Sequence, residues 1–157
     1  MSDVAHIDDR QIPLAGLLDA AKQALLNEFE QELAKSGYGD IRPTHGCVFR
    51  FVRDDGMRLT ELASLAGMTK QSVGEMVDGL VERGYVERVP DPEDKRAKLI
   101  CLTERGKDAQ RFGFSLFSEL EARWAERFGS ERLAGLREVL EDVAADEAPE
   151  AVPELAR

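Results

Sequence analysis

The sequence predicts a mainly helical chain with a small β element, an α+β class, on three observations. Apolar residues recur at intervals of three and four over several long stretches. Two short runs near the middle, Tyr85 to Val89 and Lys98 to Leu102, read as strands. Between them lies PDPEDKRA, a turn-rich and charged stretch of the kind that tips a hairpin.

The elements follow in chain order. From Ile12, the residues Leu14, Leu17, Leu18, Ala21, Leu25, Phe29 and Leu33 share one side of a helix whose first turn tolerates Pro13 and which ends near Ser36 and Gly37. A second helix follows Pro43 through Val48, Phe49 and Val52, until Asp54, Asp55 and Gly56 interrupt it. Met57 to Leu59 leaves room only for a brief strand. Thr60 is the expected cap of a short helix that Gly67 ends, and Thr69 the expected cap of the next. In that next helix Val73, Met76, Val77, Leu80 and Val81 form one buried stripe and leave one free face, and Gly84 closes it ahead of the strands. Thr103 caps a long helix with Phe112, Leu116, Leu120, Trp124 and Phe128 at four-residue intervals, a stripe suited to a core or a dimer interface. Ser130 opens the last helix, with Leu133, Leu136, Val139, Leu140 and Val143 on one side. The final DEAPEAVPELAR, with its prolines and acids, is expected to dock loosely.

Composition excludes several classes. A chain of 157 residues fits one domain, or one domain with extended arms. An apolar share of 43% beside 33% charged residues is globular rather than disordered. No apolar run approaches the roughly 20 residues of a membrane helix, and the opening MSDVAHIDDR lacks a basic, apolar leader, so a cytoplasmic protein without a membrane partner is expected. Cys47 and Cys101 have no CxxC spacing, and the histidines are His6 and His45, so neither a metal nor another cofactor is expected. No nucleophilic triad, phosphate loop or carboxylate pair rises above background; no enzyme is expected and no catalytic residue is assigned. The net charge of -10 at first speaks against a nucleic-acid partner, but its distribution softens that objection. Residues 42 to 111 hold 13 Lys and Arg against 12 Asp and Glu, while the two ends together hold 8 against 19.

Two short helices joined at Gly67 resemble a helix-turn-helix. Ala63 allows close approach of the helices, Gly67 makes the turn, and branched Val73 locks the second helix. The hairpin that follows turns this unit into a winged helix-turn-helix flanked by long helices. Its tip carries Asp94, Lys95 and Arg96, and a guanidinium on such a loop can enter a narrow minor groove. An isolated DPEDKR would be a solvated turn; its place after a helix-turn-helix reverses that preference.

Residues 59 to 106, LTELASLAGMTKQSVGEMVDGLVERGYVERVPDPEDKRAKLICLTERG, resemble the core of the MarR family of winged-helix transcription regulators. The resemblance is carried by TKQSV at the start of the recognition helix and by DPEDKRAKLICLTERG, which matches the family's Asp-x-x-Asp-x-Arg followed by a strand and Leu-Thr-x-x-Gly. The flanking helices match its dimerisation helices in order and length. The resemblance implies an obligate homodimer on a pseudo-palindromic operator in double-stranded DNA, usually a repressor released by a small-molecule effector or an oxidant. It divides the chain into an N-terminal dimerisation helix (1–36), a winged-helix core (37–103) and C-terminal dimerisation helices with a tail (104–157).

By position, Thr69, Lys70, Gln71 and Ser72 open the recognition helix, where side chains of this class meet base edges. Gln71 suits adenine, Lys70 suits guanine or phosphate, and Thr69 and Ser72 suit either bases or phosphates. Glu75 on the same face can accept from a cytosine amino group, although a solvated acid is the simpler reading, and Gly74 keeps the face flat. Thr60 and Lys98 join the expected DNA contacts. Arg96 matches the minor-groove arginine and Asp94 its supporting acid; Lys95 stands where relatives often have Arg, which keeps the charge but not the planar fork. The effector pocket implied by the family lies between the dimerisation helices and the winged helix, making Phe49 and Phe112 candidate walls and His45 a packing or ligand-facing residue. Cys47 and Cys101 lie in apolar runs and read as inert buried thiols. Two other functions stay open: a winged-helix protein-interaction module using the acidic surface, and a redox-sensing regulator using Cys47.

Overall fold

The computed structural model describes residues 12–147, so His6, Pro149 and Pro153 lie outside the described residues. The elements are α1 (Leu14–Ala34), a 3-10 turn (Pro43–His45) leading into α2 (Gly46–Phe51), β1 (Met57–Arg58), α3 (Leu59–Ala66), α4 (Lys70–Glu82), β2 (Val86–Pro90), β3 (Lys98–Leu102), α5 (Glu104–Phe128) and α6 (Ser130–Glu147). Their order is the one expected, and the class is mainly helical with one small antiparallel sheet, β1-β3-β2.

The helix-turn-helix is α3 and α4. Gly67 takes the left-handed conformation (φ 61°), and the next N–H, from Met68, reaches back to the Ala63 carbonyl at 3.0 Å. Ala63 is buried at this corner and Val73 fully so. Thr69 caps α4 as expected, its hydroxyl accepting from the Ser72 N–H at 3.1 Å. The buried stripe of α4 is Val73, Val77 and Leu80; Met76 is half-buried. Val81, expected in the stripe, is exposed, because it lies about 100° around the helix from Leu80, beyond the edge of the packed face.

A second correction falls at the start of α3. Arg58, not Thr60, is the N-cap residue, and no side chain caps the helix there. Arg58 is extended because it pairs with Leu99 in β1, so the helix starts at Leu59 and leaves Thr60 exposed inside the first turn. The wing strands pair from Val86 with Leu102 to Pro90 with Lys98, one residue later on the first strand than expected. Thr103 caps α5 through the Gly106 N–H at 3.1 Å. A β-carbon at Gly106 would collide with the Tyr85 carbonyl, so this glycine is what lets the first turn of α5 pack against the backbone just ahead of β2.

α5 then leaves the winged helix and packs on α1, with Phe29 stacked on Phe117 at 4.2 Å and Trp124 donating to Glu28 at 3.0 Å. Its four-residue stripe does not stay on one side. Four residues advance a helix by about 400°, so each step drifts about 40°. Leu116 and Leu120 are accordingly buried, Trp124 is half-buried and Phe128 is exposed.

Candidate nucleic-acid interface

Apart from Thr60, which is exposed in the first turn of α3, the expected DNA contacts fall on the first turns of α4 and on the wing, and local chemistry divides them into committed and uncommitted groups. In α4 the Thr69 and Ser72 hydroxyls are 2.8 Å apart and bond to each other as part of the cap. Gln71 donates its side-chain amide to Glu75 at 3.2 Å. Gly74 is not on the flat outer face: a β-carbon there would point at Leu59 of α3, 3.6 Å away. Asp78, further along, is paired with Arg88 of β2 at 2.7 Å.

The wing tip is held from its base. Asp91 is buried; one of its carboxylate oxygens accepts from the Arg58 Nε and Nη2 at 2.8 and 2.6 Å, and the other from the Glu93 N–H at 2.9 Å. The Glu93 N–H and then the Arg58 guanidinium hold the Asp91 carboxyl below the usual carboxylate range. Its own N–H closes the loop on the Ala97 carbonyl at 3.0 Å. Neither Asp91 nor Arg58 was among the expected site residues, although Asp91 is the first acid of the Asp-x-x-Asp-x-Arg pattern. Asp94, expected to support the Arg96 guanidinium, instead accepts from the Arg96 backbone N–H at 3.1 Å, while its carbonyl accepts from the Ala97 N–H at 2.8 Å. It shapes the turn and leaves the guanidinium clear.

The cations show a sharp partition. Among the described residues, the Lys and Arg side chains that meet no acid, hydrogen-bond acceptor or aromatic ring are Lys70, Lys95, Arg96 and Lys98. All four are exposed, one at the start of α4 and three on the wing. In a chain with 31 acids, other cations readily find partners: Arg53 pairs with Glu61 at 2.9 Å and Arg137 with Glu121. Among the described residues, the wing and the first turn of α4 are thus the places that present uncompensated positive charge to an outside polyanion.

A separate cavity of about 750 Å³ opens between α1, α5 and the α2–α3 region, lined by Phe29, Leu33, Cys47, Phe49, Ala66 and Phe117 with Arg50 and Gln110 among its polar groups. Gln110 donates to the Phe49 carbonyl at 2.6 Å. Of the expected effector residues, Phe49 is on this wall. Phe112 packs instead on Tyr38 at 5.2 Å, and His45 is buried with Nδ1 accepting from the Arg42 N–H at 3.0 Å. Burial, then the nearby Arg83 and Arg42, lowers the His45 pKa. Phe49 also meets the fully buried Tyr85 edge-on at 6.1 Å. The Tyr85 hydroxyl donates to Asp40 at 2.5 Å and accepts from Arg105 at 2.9 Å, placing an unforeseen polar cluster between the cavity wall and the end of α4. Cys47 is half-buried on the cavity wall, 3.5 Å from the Met76 sulfur, and Cys101 is half-buried in β3; burial pushes both thiols up. Among the described residues no group of three or more potential metal ligands occurs, and no helix is long and apolar enough to cross a membrane.

Comparison with known proteins agrees with this architecture. The MarR family model matches residues 40–97. The HTH-type transcriptional regulator PetP of Rhodobacter capsulatus is 34% identical over 69% of this chain and 64% of its own length. The multiple antibiotic resistance protein MarR of Salmonella typhimurium is 30% identical over 76% of this chain and 85% of its own. The solved structure of CouR from Rhodococcus jostii bound to p-coumaroyl-CoA is 25% identical, with a TM-score of 0.67 over 84% of this chain and 92% of that one. With the helix-turn-helix corner, the anchored wing and the flanking helices in place, the chain belongs to the MarR family of winged-helix transcription regulators.

Proposed function

We propose that this regulator is a homodimer that binds a pseudo-palindromic operator in double-stranded DNA as a repressor, and that a small effector in the α1–α5 cavity releases it. The observation that carries the DNA reading is the charge partition: Lys70, Lys95, Arg96 and Lys98 remain unpaired in a strongly acidic chain, on the two elements that enter DNA grooves in this fold. Homodimerisation is supported by the apolar residues that α1 and α6 leave exposed, and by the family's use of these helices. The division at residues 36 and 103 follows from it, with the ends assembling and the middle reading DNA. An apolar cavity with a few polar groups suits a small effector, and CouR is a relative bound to p-coumaroyl-CoA. Oxidant sensing is less supported, since raised thiol pKa values leave little reactive thiolate.

The experiment is a titration of wild type and Arg96→Ala against the DNA upstream of the protein's own reading frame, at two salt concentrations and with flanks of differing A·T content. Loss of a phosphate contact lowers the salt slope by about 1 per contact, or about 2 for the dimer. Loss of a minor-groove contact removes chiefly the A·T preference. The free guanidinium at the tip favours the second outcome. Unchanged affinity in every arm would move the protein-interaction module ahead.

A further inference from the structure

Gln71 and Glu75 sit one turn apart on the exposed face of α4, and the Gln71 Nε2 donates to the Glu75 carboxylate at 3.2 Å. The amide is therefore oriented before any DNA arrives, with one N–H committed and its oxygen and second N–H still available. The carboxylate is in the opposite position. Asp78 on the same helix is paired with Arg88, but Glu75 has no Lys or Arg partner among the described residues and meets only the neutral Gln71 amide.

A carboxylate without a cationic partner on a helix entering the major groove is repelled by the phosphates and loses water, a cost that a hydrogen-bond donor in the groove offsets. The donors on base edges there are the amino groups of cytosine (N4) and adenine (N6). Adenine also presents the N7 acceptor, which an amide satisfies and a carboxylate does not; cytosine presents only the amino donor. The two side chains thus sort themselves onto two bases. Residues four apart on a helix differ by about 6 Å in rise, within two steps of the roughly 3.4 Å stacking repeat.

We infer that Glu75 is a specificity-determining residue that accepts from a cytosine N4 amino group in each half-site while its bond to Gln71 holds that amide for a nearby adenine. This rests on the recognition-helix reading above. The pair acts as one unit with an asymmetry: Glu75 serves two positions of the operator and Gln71 only one.

The test is selection of binding sites from a randomised duplex pool by wild type, Glu75→Ala and Gln71→Ala, followed by titration of the selected duplex with single base changes. Both substitutions lie on an exposed helix face, and circular dichroism checks that the fold persists. Wild type is expected to select a cytosine in each half-site and to prefer it over other bases by about tenfold or more. Glu75→Ala is expected to lose that preference and blur the nearby adenine, while its binding to non-specific DNA is kept or tightened, because a negative charge has left the interface. Gln71→Ala is expected to lose the adenine and keep the cytosine. Glu75→Ala selecting the wild-type site with wild-type discrimination would overturn the inference and leave Glu75 a solvated acid. A wild type that selects no sequence at all would overturn the recognition-helix reading itself, and this inference with it.

Discussion

In α4 the apolar residues Val73, Val77 and Leu80 are fully buried, whereas in α6 Leu136, Val139, Leu140 and Val143 remain between 40% and 60% exposed. Both helices carry the same 3.6-residue periodicity. The difference lies in what each helix meets among the described residues: α4 is closed in by α3 and β2, while α6 lies along α5 and leaves apolar residues on its other side exposed. α1 shows both behaviours along one helix, burying Phe29 and Leu33 near its end and leaving Leu14 and Leu17 exposed near its start. An amphipathic stripe states that a face is to be covered; it does not state by which chain.

The largest effect should come from breaking the uncovered side. Leu136→Glu combined with Val139→Glu removes two apolar contacts from each protomer, and burying one such side chain contributes about 1.5–3 kcal/mol. The proposed dimer should weaken by a hundredfold or more, while circular dichroism still shows a folded winged helix; sedimentation over a concentration series reads the first. A variant that stays dimeric would mean α6 is not the covered face. A smaller effect is expected from the closed side: Leu80→Ala should cost about 2–5 kcal/mol in urea unfolding through lost burial and the cavity left behind. Its dimer dissociation constant should match the wild type, and a large change there would erase the distinction between the halves.

The smallest effect is a pH dependence confined to the closed side. His45 has a folded pKa below its unfolded value near 6.5, so the folded state favours the neutral ring. Its contribution is present above the unfolded pKa and is lost as pH falls through the lowered folded value. Between pH 7.5 and 5.5 the wild type should lose more thermal stability than His45→Gln. A parallel decline in the two proteins would show that His45 does not titrate on unfolding.

The sequence shows α3 to β3 clearly because each signal there is local. Gly67 in a left-handed turn, Thr69 as a cap and the charged tip between two strands each act within a few residues, and the chain folds around them as expected. Two misplacements come from longer range, and a third, at Asp94, from a turn two residues long. Thr60 has the right chemistry for a cap, yet Arg58 takes that position because strand pairing with Leu99 holds it extended. Asp94 stands two residues from Arg96, but that spacing lets its carboxylate reach the backbone N–H first. Asp91 gives no local signal of its anchoring role, because its partner Arg58 is 33 positions away.

The sequence by itself determined the order of the elements, the helix-turn-helix corner, the wing and the family resemblance, since periodicity, caps and turns are properties of neighbouring residues. Tertiary structure decided which charged side chains find a partner in another element, as Asp78 does in Arg88 of β2 and Asp91 in Arg58 of β1. The Thr69–Ser72 and Gln71–Glu75 bonds are local to the start of α4, whereas Lys70, Lys95, Arg96 and Lys98 are left without a partner by the packing of the described residues. Hydrogen bonds and ion pairs act over about 3 Å, and whether a partner lies within that distance depends on how the whole chain packs.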